Sequence, residues 1–219
     1  MSVRRPRIIA EQARHAHGLL GRILAFIMAR ETWAANLLAI EALDIAFADH
    51  VLDVGCGHGR SLAALAARAP RGKVVGVDPS ELMAEIARKR NRRLAKASRV
   101  KVIVATADNL PFPDATFDKA LCVHVVYFWP DLETPLAEIA RVLKPGGRLA
   151  LLFRTSADLA ATAAFPPEIY RFPAWGEMVA ALKFAGFAID GDQAEGESPE
   201  PVLIVARRCW RNPEFTRIW

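Results

Sequence analysis

Apolar residues follow two rhythms along this chain, and the rhythm changes near His50. Before it, apolar positions recur at helical spacing: Leu19/Leu20, Ile23/Leu24 and Ile27, then Trp33, Leu37/Leu38 and, less cleanly because Glu41 is charged, the Glu41/Ala42/Ile45 group. That spacing predicts two helices, over 7–30 and 32–48. After it, short unbroken apolar runs alternate with amphipathic stretches. VLDVG (51–55), KVVGVD (73–78), VKVIVATA (100–107), FDKALCVHV (117–125) and RLALLF (148–153) read as five strands. A helix over 60–69 follows the first strand and is broken by Pro70 and Gly72. Ser80 is placed to cap the next helix, whose inward residues include Leu82, Met83, Ile86 and Leu94. Asp131, after Pro130, caps a third that packs Leu136, Ile139 and Leu143 inward, and Lys144-Pro145-Gly146-Gly147 ends it. A last helix over 174–185 stops at Gly186, and strands near 187–194 and 201–207 follow. With no helix between them, these two should pair antiparallel at one edge.

Short apolar strands separated by helices imply a parallel sheet buried on both faces, joined by right-handed crossovers. The expected fold class is therefore α/β, a Rossmann-like doubly wound sheet. Residues 1–48 form an N-terminal helical part of the same domain, 49–208 the ligand-binding domain, and 209–219 a C-terminal tail.

Composition narrows the picture modestly. At 219 residues, 53% apolar and 24% charged, the chain suits one domain with one sizeable core. Its best candidate for a membrane span, 19–28, is interrupted by Gly21 and Arg22, and a span needs about 20 apolar residues. Cys56, Cys122 and Cys209 are scattered, with no CxxC pair and no histidine cluster, which points to a reducing compartment without disulfides or a metal site. The first 30 residues hold six arginines and one acid, Glu11, a bias shared with transit peptides. Those arginines lie on an amphipathic pattern that runs directly into the fold, so an intact N-terminus and a cytoplasmic protein are expected. The net charge is +5, and residues 88–101 carry eight basic groups and no acid. Such a run can track phosphates. No aromatic residues interleave with it, which favours the solvated face of a helix and its following turn.

Chemistry enters with VLDVGCGHGRS (51–61). A buried strand runs into Gly55, Gly57 and Gly59, and a helix starts at once. Glycines at alternate positions let the backbone approach a ligand closely, at the carboxyl end of a strand where doubly wound sheets bind them. The dinucleotide fingerprint GxGxxG fails in both registers, since its third glycine falls on Arg60 or Leu62, and the phosphate loop GxxxxGK[ST] is absent. Three acids sharpen the reading. Asp53 lies two residues before the first glycine, Asp78 ends the second strand, and Asp108 follows the third. Together they describe a pocket for an amine, a ribose and a base, with no phosphate required.

In order, DVGCGHG, VVGVDPS, ATADNLPFPDATFD and VLKPGGRLAL resemble the class I S-adenosylmethionine-dependent methyltransferases, and within them the small-molecule branch labelled methyltransferase type 11. VVYFWPD (125–131) and the Ala-Gly-Phe before strand six are similar to phrases of that branch, and the resemblance covers about residues 50–208. It implies S-adenosyl-L-methionine as cofactor, a seven-stranded sheet ordered 3-2-1-4-5-7-6 with strand seven antiparallel, and the N-terminal helices as a lid. It places Asp53 near the methionine amino group, and Gly55, Cys56, Gly57 and Gly59 beneath the carboxylate and sulfonium. Asp78 would grip the ribose, and Pro79 and Met83 would flank the adenine, although Met83 suits an ordinary core equally well. Asp108, Asn109 and Leu110 would hold the adenine edge, with Val123 and His124 beside the cofactor. Residues 155–172 are less family-like and read as a substrate-side insertion.

A sulfonium is an activated electrophile, so the protein needs mainly to hold a nucleophile in line and exclude water. His124 is placed either as a general base or as a structural histidine, and both readings stand. Trp33, Tyr127, Trp129 and Tyr170 are candidate acceptor-binding residues, with Phe26, Met28, Phe172 and Trp175 nearby in the pattern; an aromatic lining suits an apolar or aromatic acceptor. The expected partner is a small-molecule methyl acceptor, on a monomer or homodimer. Nucleic acid is the rival substrate, favoured slightly by 88–101 and by Arg207, Arg208 and Arg211. Against it, Val125-Val126-Tyr127-Phe128 stands where [DNS]-P-P-[YF] would be, and no Pro-Cys nucleophile is present. A non-catalytic cofactor-binding regulator is the third reading.

Overall fold

The computed structural model describes residues 6–14, 16–190 and 199–210, apart from the side chains of 24–26, 28 and 29. The N-terminal region is three helices, α1 (Arg7–Arg14), α2 (Gly18–Glu31) and α3 (Trp33–Ala42). The single helix expected over 7–30 is thus interrupted. Gly18 takes φ +62, and the buried Gln12 stabilises the elbow: its Oε1 accepts the His17 N–H at 2.8 Å, and its Nε2 lies 2.5 Å from His17 Nδ1. The second expected helix, over 32–48, stops early because the chain turns at Asp44, whose φ is +50.

The alternating part follows as β1 (Val51–Val54), α4 (Arg60–Arg68), β2 (Val74–Asp78), α5 (Glu81–Arg90), α6 (Arg92–Lys96), β3 (Val100–Val104), β4 (Phe117–Val123), α7 (Glu133–Val142), β5 (Leu143–Phe153), α8 (Leu159–Ala164), α9 (Trp175–Phe184), β6 (Phe187–Ile189) and β7 (Val202–Arg208). These strands form one seven-stranded sheet ordered β3-β2-β1-β4-β5-β7-β6. The first five are parallel, and β7 runs antiparallel between β5 and β6. The order is the one the resemblance implied. Of the strand expected over 187–194, residues 191–194 lie outside the described residues, as do 211–219 of the tail.

Two apolar layers sandwich the sheet because neighbouring residues on a strand face opposite sides. Leu52 and Val54 belong to the core with Leu136 and Ile139 of α7 and Met178 and Leu182 of α9. Val51 faces the other core, with Ile40 of α3, Leu62 and Leu65 of α4, and Ala87 of α5. Asp53 shares the strand face of Val51 and so meets α4.

One local reading is corrected, and a second, the solvated face of 88–101, is refined. Lys144-Pro145-Gly146-Gly147 does not separate α7 from β5: the strand begins at Leu143, paired with Phe117, and the register then slips so that Lys119 pairs with Arg148. Proline is tolerated at the irregular start of a strand, where no ladder donor is required, and Gly146 supplies φ +78. The basic run 88–101 is broken at Asn91, whose buried amide donates to the carbonyls of Gly59 (2.8 Å) and Ala87 (2.9 Å). Arg88, Lys89, Arg90, Arg92, Arg93 and Lys96 are exposed, whereas Arg99 donates to the carbonyls of Ala66, Ala69 and Gly72 at the end of α4. Among the described residues no helix is long and apolar enough to cross a membrane.

Candidate active site

The strand order reverses between β1 and β4, so their following loops diverge and leave a crevice at the carboxyl ends. A cavity of about 300 Å³ opens there. Its wall brings together Asp53, Gly55, Cys56, Gly57, Asp78, Pro79, Met83, Asp108, Val123 and His124.

Asp53 is almost wholly buried, and its Oδ2 accepts a short hydrogen bond from Ser61 Oγ on the first turn of α4. Burial pushes its carboxyl up to about 7; the Ser61 bond pulls the other way, and the charge of Asp78 adds to the rise. A buried carboxylate so destabilised calls for a cation. Asp78, also buried, is fixed from two sides: Oδ2 accepts the Gly57 N–H and Oδ1 the Ser80 N–H, both at 2.9 Å. A carboxylate has about four acceptor sites, which suits it to a diol as well.

The glycine loop has two different jobs. At Gly55, φ is +73 and an added Cβ would lie 2.2 Å from Val125 Cγ1, so the loops after β1 and β4 meet only because the side chain is missing. At Gly57, φ is +51 and an added Cβ would have nothing within 4 Å, because it would project into open space beside the cavity. Cys56 is buried, its Sγ on the side of the missing Gly76 side chain, and burial followed by the charges of Asp53 and Asp78 pushes its thiol up, away from nucleophilic use. Ser80 Oγ accepts the Met83 N–H (3.3 Å) and donates to the Ala16 carbonyl (2.9 Å), which joins the elbow between α1 and α2 to the start of α5 at the crevice.

Three residues expected at the cofactor lie off this wall. Gly59 faces α5, where a Cβ would stand 2.7 Å from Ala87 Cβ. Asn109 is exposed, and Leu110 is buried in the core with its N–H on Glu138 Oε2 at 3.0 Å. The wall also contains residues that pattern reading passed over, among them Arg14, Thr32, Asn36, His58, Ser61 and Thr106. His58 is held neutral, lowered to about 4 by burial and then by Arg90. Only the serine carried a usable signal, since it falls in the first turn of the helix after the glycines.

A second cavity of about 370 Å³ adjoins the first, and Ala13, Thr32, His124 and Phe128 belong to both walls. It is aromatic: Tyr127, Phe128, Phe165, Tyr170 and Phe172 line it, with ring centroids 4.5 to 6.2 Å apart in the contacts they make. Of the four expected acceptor residues, Tyr127 and Tyr170 are here, whereas Trp33 and Trp129 line the first cavity, the former beneath the Arg60 guanidinium at 4.0 Å. Trp175 packs against the core, and the side chains of Phe26 and Met28 lie outside the described residues. The segment 155–172 supplies α8 and three of the rings. Arg154 and Asp158 form an ion pair on this wall, and Asp158 Oδ1 caps α8 by accepting the Ala161 N–H at 2.8 Å.

His124 stands at the junction with φ +57. Its Nδ1 lies 2.9 Å from the Tyr127 hydroxyl, which also accepts the Arg154 N–H at 2.7 Å. Burial, then the Arg154 charge, lowers His124 to about 4.

Comparison with known proteins agrees with this geometry. A family model described as a methyltransferase domain matches residues 52–151. Methyltransferase GfsG of Streptomyces halstedii is 40% identical over 126 residues, 56% of this chain and 45% of that protein, so the chain spans less than half the length of that relative. The uncharacterized methyltransferase YdaC of Bacillus subtilis is 31% identical over 179 residues, 81% of this chain and 93% of that one. Geranyl diphosphate C-methyltransferase from Streptomyces coelicolor, solved with Mg²⁺, geranyl diphosphate and S-adenosyl-L-homocysteine, shares the fold with a TM-score of 0.67, 21% identity, and coverage of 80% of this chain and 77% of that chain. A sheet of this order, a glycine loop without the diphosphate fingerprint and a relative matched over nearly its whole length lead to one assignment: the chain belongs to the class I S-adenosylmethionine-dependent methyltransferases.

Proposed function

We propose that this chain transfers a methyl group from S-adenosylmethionine to a small, flat, apolar acceptor by in-line displacement. The observation that carries the reading is the junction of the two cavities, one walled by acids and glycines and the other by aromatic rings, with His124 and Phe128 in both walls. Asp53 would hold the ammonium of the cofactor, Asp78 its ribose, and Asp108 its adenine, with Pro79 and Met83 against the ring and the α4 N-terminus toward its carboxylate. When bound, the cofactor supplies an activated methyl sulfonium. The chain's part is to orient the acceptor against that methyl and to keep water out.

Helices α1 and α2 would serve as the lid, because Ala13 and Arg14 border the first cavity while Ile9, Ala10 and Ile27 border the second. Residues 1–48 then act as part of the same unit as 49–208. A screen of phenols, quinols, indoles and thiols with methyl-labelled cofactor tests the proposal. Label in an aromatic product supports it; transfer to RNA or DNA alone, or cofactor binding with no transfer to any acceptor, would overturn it.

A further inference from the structure

We infer that Tyr127 fixes His124 as its Nε2–H tautomer, and that this N–H binds the oxygen of a phenol-type acceptor in its anionic form. The inference rests on the methyltransferase reading and adds to it the substrate class and the role of one residue.

The Tyr127 hydroxyl is buried and has two polar neighbours among the described residues, the Arg154 backbone N–H and His124 Nδ1. A backbone N–H can only donate, so the phenol oxygen accepts from Arg154. Its own proton then has one place to go, His124 Nδ1; otherwise a buried O–H is left unsatisfied. Nδ1 is therefore the acceptor nitrogen, and in a neutral ring the proton sits on Nε2. Burial and the neighbouring guanidinium keep the ring from taking a second proton near neutrality. A nitrogen that already carries a proton cannot remove one from an acceptor. His124 thus meets a ligand as a donor, and the alternative of a general base would require the opposite tautomer.

The surroundings of that donor name the ligand. The cavity beside it is built of aromatic rings, which suit a flat unsaturated body. Arg154 brings a guanidinium to the same wall, with Asp158 already engaged by Arg154 and by the cap of α8. Glu31, the other acid on the wall, is exposed at the end of α2. The Nε2–H donor and the guanidinium of the Arg154–Asp158 pair, beside stacked rings, are the groups that would hold an aromatic oxyanion in preference to the parent phenol. The acceptor would release its proton to solvent on binding. A lone pair on its oxygen then forms the O–CH₃ bond, the C–S bond breaks with its electron pair going to sulfur, and the negative and positive charges disappear together. No proton moves in that step, so none has to be removed by the protein.

The test uses 4-nitrophenol, whose phenol and phenolate absorb differently, with 4-nitroanisole as the probe that cannot ionise. Both are titrated into the full chain saturated with S-adenosylhomocysteine. The phenolate is expected to bind about tenfold more tightly than the phenol. His124→Asn should remove that preference and change 4-nitroanisole affinity far less than phenolate affinity, because the Asn carbonyl can still accept from Tyr127 and asparagine tolerates the left-handed backbone, while the Nε2–H is lost. Long-range ¹H–¹⁵N spectra should show the Nε2–H tautomer in the unaltered protein and a mixture in Tyr127→Phe. Preference for the phenol, equal affinity for the two forms, no binding, or an Nδ1–H ring at neutral pH would each overturn the inference. Calorimetry with S-adenosylhomocysteine reads the parent assignment separately: if that ligand binds and nitrophenol does not discriminate, only this inference falls.

Discussion

Cofactor affinity should depend on pH through one buried carboxyl. In the ligand-free protein Asp53 sits at about 7 because burial disfavours its charge. A ligand ammonium beside it favours the ionised form, so binding lowers that value and releases a proton. Above about 7 the carboxylate is already ionised and nothing is lost. Below it, each pH unit weakens binding about tenfold until the bound-state value is reached, which is roughly 100-fold at about pH 5 if the bound value is 5 or lower. The ligand's own α-amino group deprotonates near 7.7–8.0, so affinity should peak at roughly pH 7 to 8 and fall on both sides. Folding has the opposite sign. Because the folded value of Asp53 is raised from 3.8 to about 7, its contribution to stability is full below about 4 and is lost as pH rises through 7, an upper bound of roughly 4 kcal/mol. Asp53→Asn should therefore melt higher than the parent at about pH 8 without ligand, bind S-adenosylmethionine more weakly, and lose the acid limb. Calorimetry from about pH 5 to 9, in buffers of different ionisation enthalpy, reads both affinity and protons. A flat profile below neutrality in the parent, or the same acid limb in Asp53→Asn, would refute the reasoning.

Other expectations follow from single contacts. Gly55→Ala meets Val125 Cγ1 at 2.2 Å and should destabilise by about 3 kcal/mol, seen as a lower Tm, while Gly57→Ala, with nothing within 4 Å, should cost only about 1 kcal/mol in stability yet weaken cofactor binding. Equal Tm losses in the two would contradict the division of labour in this loop. Arg141 ties the loop that carries Asp108 to α7, donating to the Leu110 and Phe112 carbonyls, Asp114 and Glu138 at 2.7 to 2.9 Å. Arg141→Ala should lower stability by about 2 kcal/mol and raise KM for S-adenosylmethionine; an unchanged KM would mean that the loop holds its shape unaided. Deleting residues 1–30 should raise KM for the acceptor more than Kd for the cofactor, and the reverse ranking would discredit the lid.

The crevice was the most legible part of the chain because its determinants are local. An acid two residues before a glycine loop, and acids at the ends of the next two strands, sit on elements whose period is plain, and the sheet then carries Asp53, Asp78 and Asp108 to one wall. What escaped the pattern depends on reach. The helical rhythm continues through residues 18–21, so the elbow at Gly18 appears only once Gln12 is seen to fold back on His17. Gly57 and Gly59 look alike as alternate glycines, but one opens on the cavity and the other packs on Ala87. Proline and two glycines read as a helix stop although β5 takes them in at its irregular first turn of pairing. Tyr127 and Arg154 are far apart in the chain, and only the folded β4 and β5 bring the hydroxyl to the backbone that decides the protonation of His124.

The claim underlying all of this is that the acids at the ends of β1, β2 and β3 grip an adenosyl ligand. A crystal structure of the chain with S-adenosylhomocysteine tests it most directly. The ribose hydroxyls should lie on Asp78, the ammonium beside Asp53, the adenine between Met83 and Asp108, and the sulfur toward His124. Density for the ligand elsewhere, or the same ligand with its ribose away from Asp78, would contradict the account.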